Sequence, residues 1–381
     1  MANNLNNLIP IIYMALDIVA REMVGFTMAA FRNSNADRVA LGQTVNYPIV
    51  PAIVTGDIVP APIPPDDGDM AVGNGTLTIS KSKYAPIKWT GEEQKAVSQT
   101  GIMQNVIIQQ FAQGIRALVN LIEIDLAALY TSASRAVGTA GNAPFGTAGD
   151  FSDFANSLQV LDDNGAPLTD RQLVLGSAAI ANVRGKQSVL FKINEAGTAD
   201  LLRQGIIGRV EGFDIHTSAQ VPVGVAKGTG AGYVVNFAAG YPVGATAITV
   251  GTGSGTILAG DTVTFAGDTN RYVTTGLSGT TLTLALPGLK KPLANTVAVT
   301  VGGNYTPNMF FVREAVHLLT RLPAMPEGGD DADDVTEITD PVSGLVFQVA
   351  LYRQYRRIRY ELGIAWGVKV VKPDFVGLLL G

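Results

Sequence analysis

The sequence predicts an α+β chain of several structural units, one of them a small β-rich insertion. The chain has 381 residues, more than one hydrophobic core usually holds. Apolar residues at helical spacing occur in some segments, and short β-branched runs occur in others. Only 15% of the residues are charged, against roughly 25% in an ordinary soluble domain. The charge deficit is concentrated in one Gly-rich and Thr-rich stretch, which sets that stretch apart as a unit.

Composition excludes several kinds of chemistry. The chain has no cysteine, so a disulfide framework, a Cys-ligated metal site and a thiol nucleophile are impossible. It has two histidines, and both His216 and His317 lie in strand-like segments that favour a core position. The net charge of -5 argues against broad phosphate binding. Because no phosphate-binding, dinucleotide or nucleophile-elbow motif occurs, we expect no enzyme, cofactor or metal.

Residues 1–41 are predicted to form an amino-terminal arm and helix. Apolar residues from Ile11 to Met28 recur at helical spacing, so this helix must lie against its own domain or a neighbour. Asp17, Arg21 and Glu22 interrupt the run where a signal peptide or a membrane span would stay apolar. We therefore expect no membrane partner.

Residues 42–91 are predicted to form an extended two-stranded loop. Repeated prolines from Pro60 to Pro65 favour extended backbone, and the segment Thr76 to Trp89 alternates like a strand. Three lysines are interleaved in that strand: Lys81, Lys83 and Lys88. An isolated hairpin is marginal in water, so the loop is expected to lie on a partner.

Residues 92–132 give the longest helical pattern, which we call the spine helix. From Glu92 to Tyr130 it would be about 60 Å long, with an apolar stripe from Ile108 to Leu129 and with Arg116 and Glu123 outside that stripe. The segment Ala133 to Asp150 is predicted to be a loop. The remainder of 133–222 mixes helices and strands.

Residues 223–303 are predicted to form the inserted β domain. Between Gly228 and Leu289 the charged residues are Asp261, Asp268 and Arg271. Short β-branched runs at roughly ten-residue spacing, separated by Gly-rich turns, are typical of a small sandwich or barrel.

Residues 304–381 return to mixed character and carry two clusters of opposite charge. The acidic cluster lies in a loop and contains Asp330, Asp331, Asp333 and Asp334. The basic cluster lies in a strand-like segment and contains Arg353, Arg356, Arg357 and Arg359. The acidic loop is read either as solvated surface or as a contact with the basic cluster of a neighbouring subunit, and a calcium site is less favoured because the spacing is not that of an EF-hand.

The segments after the insertion resemble a known family. They read Asn308-Met-Phe-Phe-Val-Arg313-Glu-Ala-Val, Arg321-Leu-Pro-Ala-Met-Pro-Glu-Gly-Gly, Asp340-Pro-Val-Ser-Gly-Leu-Val-Phe, Tyr352-Arg-Gln-Tyr-Arg-Arg-Ile-Arg-Tyr360 and Trp366-Gly-Val-Lys369 before Pro373. With the order of arm, extended loop, long helix, mixed domain and insertion, the chain resembles major capsid proteins of tailed bacteriophages, which have the Hong Kong 97 fold. Within that group it is most similar to coat proteins of short-tailed phages with an inserted β domain. The family often has Arg-Asp-Ala where this chain has Arg313-Glu314-Ala315.

This resemblance implies a fold with peripheral and axial domains and a structural role in the virion. Such a chain assembles with itself in pentamers and hexamers into an icosahedral shell, first as a procapsid around a scaffolding protein. A portal protein is a further partner, and decoration proteins are left open. Assembly takes place in the host bacterial cytoplasm, and the shell matures as double-stranded DNA is packaged, enclosing it without specific binding.

The resemblance also implies roles for the charged residues. The three lysines would meet carboxylates of a neighbouring subunit. The arginine cluster would form inter-strand and inter-subunit ion pairs, with a contact to DNA as the less favoured alternative. Asp17 and Glu22 would face the interior and form a dock for a basic segment of the scaffold.

Two alternative functions stay open from the sequence. An encapsulin-like nanocompartment shell has the same fold, and its neighbouring genes would encode a cargo enzyme in place of terminase and portal. A β-rich virion adhesin is suggested only by the Gly-rich and Thr-rich insertion, which would then bind a glycan or a cell surface.

Overall fold

A computed structural model describes residues 8–23, 25–49, 58, 60, 73–98, 103–187 and 208–381. The helices are α1 (Ile9–Glu22), α2 (Phe26–Ala29), α3 (Gly91–Ser98), α4 (Met103–Ala127), α5 (Ser152–Asp163) and α6 (Ser177–Lys186). The first ten strands are β1 (Phe31–Val39), β2 (Thr44–Ile49), β3 (Gly73–Thr78), β4 (Lys81–Thr90), β5 (Arg135–Gly138), β6 (Arg171–Leu175), β7 (Arg209–Val210), β8 (Phe213–Thr217), β9 (Val234–Val235) and β10 (Ala247–Gly251). The others are β11 (Thr262–Phe265), β12 (Arg271–Ser278), β13 (Thr281–Leu284), β14 (Val299–Val301), β15 (Pro307–Val312), β16 (Val316–Pro323), β17 (Asp334–Thr339), β18 (Val346–Gln354), β19 (Arg357–Val370) and β20 (Val376–Leu380). The described chain is therefore α+β, as the sequence predicts.

A six-stranded sheet joins the two ends of the chain. Its order is β1-β16-β19-β18-β17, and β4 pairs with β19 over ten residues. The long strand β19 thus has β16, β18 and β4 as neighbours. Residues that precede the spine helix are held by strands from the last 70 residues or so of the sequence.

The helices α1 and α4 pack over this sheet and close the largest core. Leu16 of α1, Phe111 and Ile115 of α4, and Leu362 and Trp366 of β19 are all fully buried in it. The packing follows from the apolar stripe of α4, which the helical spacing predicts.

The structure describes the spine helix as two helices. α3 begins with a reciprocal cap, in which the Thr90 amide donates to Glu93 and the Glu93 amide donates to the Thr90 hydroxyl. α4 then runs for 25 residues, or about 37 Å, and is followed by a 3₁₀ turn at Ala128–Ser132. Residues 99–102 lie outside the described residues, so the predicted continuous helix of about 60 Å stays a prediction.

A twelve-stranded sheet runs through the rest of the molecule. Its order is β7-β8-β6-β15-β20-β5-β12-β13-β10-β9, and β11 pairs with β12 on one side and with β14 on the other. α5 and α6 cover part of it with a second core that contains Phe154, Val183 and Phe310. The strands of segment 223–303 enclose a third core of their own, with Ile248, Phe265 and Leu282 among its buried residues.

Three local predictions are wrong, and one strand, β1, was not predicted. The helix predicted from Ile11 to Met28 ends at Glu22, and α2 is a separate turn, because the chain passes closely by α4 at Gly25. The polar segment Phe31–Val39 forms β1, which has no alternating pattern and is held by parallel pairing with β16. The predicted loop from Ala133 contains β5, which lies between β20 and β12. The strand-like run to Arg359 is a hairpin of β18 and β19 with its turn at Tyr355.

The helices of the described residues are all too short or too polar to cross a membrane.

Candidate contact surfaces

The extended loop is described at its base, as the two-stranded sheet of β2 and β3. Lys369 of β19 holds this base, because its Nζ donates to the Thr76 carbonyl at 2.7 Å and lies 5.8 Å from the centre of the Tyr47 ring. Most of the proline-rich segment, including Pro62 to Pro65 for which extended backbone is predicted, lies outside the described residues.

The three lysines of β4 have different surroundings. Lys81 is paired within its own chain, with Nζ 2.6 Å from the carboxylate of Asp125 in the spine helix. The same carboxylate accepts from the Trp366 indole at 2.8 Å, so it ties β4, α4 and β19 together. Lys83 and Lys88 are exposed, and no ion pair links them to another described residue. These two remain candidates for a contact with a neighbour.

Glu22, at the end of α1, is bound to the spine helix. Its two carboxylate oxygens accept from Nε and Nη2 of Arg116, each at 2.5 Å. The Arg116 hydrogen bond lowers the pKa of Glu22, and the carboxylate raises the pKa of Arg116. Asp17 lies five residues earlier on α1 and is half-buried. Glu22, one of the two predicted scaffold contacts, thus has a partner within its own chain.

Glu123 is an important buried group that sequence reasoning missed. Its side chain is 7% exposed, and its carboxylate accepts from the amides of Phe26 and Thr27 and from the hydroxyls of Thr27 and Ser218 at 2.6–2.9 Å. The prediction placed it outside the apolar stripe of the helix, where solvent is expected. Instead, α4 has a second buried face against the chain that follows α1.

A hairpin tip carries most of the basic cluster. The turn between β18 and β19 consists of Tyr355, which is 88% exposed, and Arg356, whose φ is 57°. The Arg356 carbonyl accepts from the Gly91 amide at 3.0 Å, which fixes the tip beside the start of α3. A cavity of about 650 Å³ lies between them, lined by Trp89, Gln94, Arg353 and Arg357 among others. A positive φ favours glycine or asparagine, so an arginine at the turn is held against its backbone preference.

The acidic loop and the basic cluster are partly paired within one chain. Asp333 lies 3.3 Å from Arg353, and Asp330 accepts from the Tyr352 hydroxyl at 2.6 Å. Burial and this carboxylate raise the pKa of Tyr352 to about 12. Arg359 bonds to Glu361 at 2.6 Å and lies over the Tyr84 and Tyr352 rings.

The remaining members of the two clusters differ. Asp334 begins β17. Asp331 is exposed, and within the described chain no ion pair is found for Asp331, Arg356 or Arg357. Arg356 and Arg357 are therefore the members of the basic cluster that have no ion-pair partner among the described residues.

The outer face of the spine helix carries an exposed apolar stripe. Leu121 is 37% exposed and Ile124 is 45% exposed, and they continue a row with the exposed Ala117 and Ala128 at spacings of four, three and four. Contiguous apolar surface of this kind is typical of an interaction site.

The described residues bring together no group of three or more His, Asp or Glu side chains that could hold a metal ion.

Comparisons with known proteins give structural likenesses only. No family profile matches the sequence, and no curated protein matches it. The fold is similar to a chain of Mycobacterium phage Che8, with 14% identity over 89% of this chain and 84% of that one and a TM-score of 0.44. It is similar to the capsid structure of the cyanophage P-SCSP1u, with 13% identity over 94% and 88% of the two chains and a TM-score of 0.48. It is also similar to a virus-like particle from Pyrococcus furiosus, with 9% identity over 96% of both chains and a TM-score of 0.40.

Proposed function

We propose that this chain is the major capsid protein of a tailed bacteriophage, with the Hong Kong 97 fold, and that it assembles with copies of itself into an icosahedral shell. The observation that carries the proposal is the arrangement of its long elements. The extended loop leaves the six-stranded sheet between β1 and β4, the helix α4 lies across that sheet, and β16 to β19 close it. This is the order of parts that the sequence resemblance implies.

The surfaces of the subunit support assembly with copies of itself. The apolar stripe at Leu121 and Ile124 would lose contact with water against a neighbour, at roughly 25 cal/mol for each Å² buried. Arg356 and Arg357 present unpaired positive charge at an exposed tip, whereas the chain as a whole is negative by five charges. A positive tip on a negative subunit is complementary to another copy of the same subunit.

The finer steps of the proposal concern partners. A procapsid would form around a scaffolding protein, include a portal protein, and mature as DNA is packaged. For the scaffold we retain Asp17 and Glu22 as candidate contacts. Glu22 would have to exchange Arg116 for a basic group of the scaffold.

The arginine tip provides the sharpest test of this function. We expect Arg356→Glu with Arg357→Glu to abolish shell formation, because the double change reverses the charge of the tip at a site that buries no side chain. The monomer should stay folded, which circular dichroism and size-exclusion chromatography would check. The assembly itself is observed by electron microscopy of protein coexpressed with its scaffold.

A matched control is Arg184→Glu with Lys186→Glu, in the last turn of α6, which reverses the same amount of charge elsewhere. Normal shells from the tip variant would refute the role of the tip. A wild-type chain that stays monomeric under all conditions would refute the proposed function. Particles that contain a cargo enzyme in place of DNA would favour the nanocompartment alternative.

A further inference from the structure

A polar pocket lies where segment 223–303 meets the body of the subunit. It has a volume of about 300 Å³ and lies between α5, β5 and the start of β12. Its walls include Arg135, Asn156, Gln159, Asn270 and Arg271. Five side chains with hydrogen-bond donors thus surround one cavity, which is distinct from the hairpin tip and from the spine helix.

The rigid wall of the pocket is Arg135. Arg135 is 3% exposed. Its guanidinium donates to the Asn270 side chain at 2.8 Å, to the Val160 carbonyl at 3.1 Å and to the Asp163 carboxylate at 3.0 Å. Its Nε is buried and has no hydrogen-bond partner among the described residues. The carboxylate of Asp163 is therefore already paired with Arg135.

The other donors that line the pocket can form further hydrogen bonds. Arg271 donates from Nη1 to the Gly138 carbonyl at 2.6 Å, and within the described part of the chain it has no carboxylate partner. Burial lowers the pKa of Arg271, which is the expected effect of desolvating a cation that lacks a counter-ion. The side-chain amides of Asn156 and Gln159 make no hydrogen bond to another described residue. An arginine without a carboxylate partner and two amides without a hydrogen bond to another described residue thus face the same cavity.

The lining of the pocket is positive, because Arg135 and Arg271 face one carboxylate, that of Asp163. Outside the lining, Lys290 donates from Nζ to the Asp163 carbonyl at 2.9 Å, and the carboxylates of Asp374 and Asp268 lie near Lys290 and Asn270. The excess of positive charge in the lining disfavours a cationic ligand. An apolar ligand would leave the free donors unpaired and desolvated, which is costly.

We propose that this pocket binds a phosphate-type oxyanion, with Arg271, Gln159 and Asn156 as its donors. Guanidinium groups bind oxyanions through paired, charge-assisted hydrogen bonds, and the side-chain amides supply further donors. The bound group is free inorganic phosphate or the phosphate of a nucleotide. Because β5, β12 and α5 all contribute, the ligand would bridge the inserted strands and the body of the subunit.

The test is isothermal titration calorimetry on the full chain at constant ionic strength. Inorganic phosphate is one titrant, and a nucleoside monophosphate is the other. We expect saturable binding at one site per chain. Tighter binding of the nucleotide would assign the site to nucleotides, and equal or tighter binding of phosphate would assign it to the free anion.

Two variants and one control complete the test. Arg271→Met is expected to weaken binding by at least about tenfold, the effect of losing a charged hydrogen bond. Gln159→Ala removes a donor without removing a described hydrogen bond and should weaken binding a few fold, so the test does not depend on the folding of the arginine variant. Arg209→Met, on β7 at the far end of the same sheet, should bind like wild type. Absence of saturable binding to both titrants, or an equal loss in the Arg209 and Arg271 variants, would overturn the proposal.

Discussion

Glu123 shows how a single residue can join three parts of the chain. From the spine helix, its carboxylate binds α2 and the Ser218 loop, and this closeness leaves no space for a side chain at Gly25. A Cβ at Gly25 would lie 2.4 Å from the carboxylate oxygen. The carboxylate cannot retreat without losing bonds to buried donors.

We therefore predict that Gly25→Ala lowers the free energy of unfolding by about 1–3 kcal/mol, the usual effect of leaving buried donors unsatisfied. Urea denaturation followed by circular dichroism would measure it. Gly185→Ala is the matched control, because a Cβ there meets no atom within 4 Å and the residue lies in α6. The control should be neutral or stabilising by up to about 1 kcal/mol. Equal stability of the two variants would contradict the role assigned to Glu123.

His317 predicts a pH dependence at the base of the extended loop. Its ring lies 4.7 Å from Phe31 and 6.0 Å from Tyr47, opposite Lys369 on β19. Burial lowers the pKa of His317 below its ordinary value of 6.5. As the pH falls below 6.5, His317 is protonated in the unfolded chain before it is protonated in the folded chain. The free energy of unfolding therefore decreases as the pH falls from 6.5 towards the lower pKa of the folded state.

The measurement is the unfolding free energy of wild type and His317→Gln at pH 7.5 and at pH 5.5. We expect the wild type to lose more stability than the variant over this interval. A loss of the same size in both proteins would show that His317 does not titrate between the two states.

At the scale of elements, the segments with a periodic sequence pattern could be predicted. Elements that are held only by tertiary contacts could not. The spacing from Ile108 to Leu129 predicts most of α4, and the β-branched runs predict β10 to β13 within a few residues. β1 could not be predicted, since its polar residues are strand only by pairing with β16. The charge clusters could be found in the sequence. The internal partners of Lys81 and Arg353, in contrast, depend on contacts between residues 20 or more positions apart in the chain.

Segment 223–303 has its own core, and we predict that it unfolds cooperatively as an isolated fragment. It would be less stable than in the full chain, because β12 would lose the pairing of Arg271 and Tyr272 with β5. Thermal unfolding followed by circular dichroism would test this prediction. Phe265→Ala should remove the transition, since Phe265 is 1% exposed in that core. A gradual, non-cooperative change in the unmodified fragment would mean that the boundaries of the domain are wrong.

At the scale of the whole molecule, the aspartates of the inserted strands are bound within their own domain. Asp261 is 3% exposed and accepts from the Gly228 and Leu258 amides, and Asp268 accepts from the Tyr272 hydroxyl. The surface of the inserted strands therefore presents little charge, and the outer face of α4 exposes Leu121 and Ile124. Both features fit a subunit that shares its surface with copies of itself.

We predict that Leu121→Ser with Ile124→Ser slows or prevents assembly while the unfolding free energy of the monomer changes by at most about 1 kcal/mol, because both side chains are already partly exposed. Light scattering during assembly and urea denaturation of the monomer are the two readouts. Leu168→Ser, at a residue that is 74% exposed in the loop after α5, is the control and should assemble normally. Unchanged assembly of the variant with both serines would exclude the exposed face of α4 at Leu121 and Ile124 as an interface.

The pairing of β12 with β5 has a mechanical consequence. A load applied to the inserted strands reaches β20, β15 and β6 through consecutive backbone hydrogen bonds, with no flexible linker at that point. Such a joint resists torsion and shear, so the insertion turns together with β5 and β20 as one lever. Any reorientation of the subunit would therefore displace the outer end of the insertion by an amount that grows with its distance from the axis of rotation.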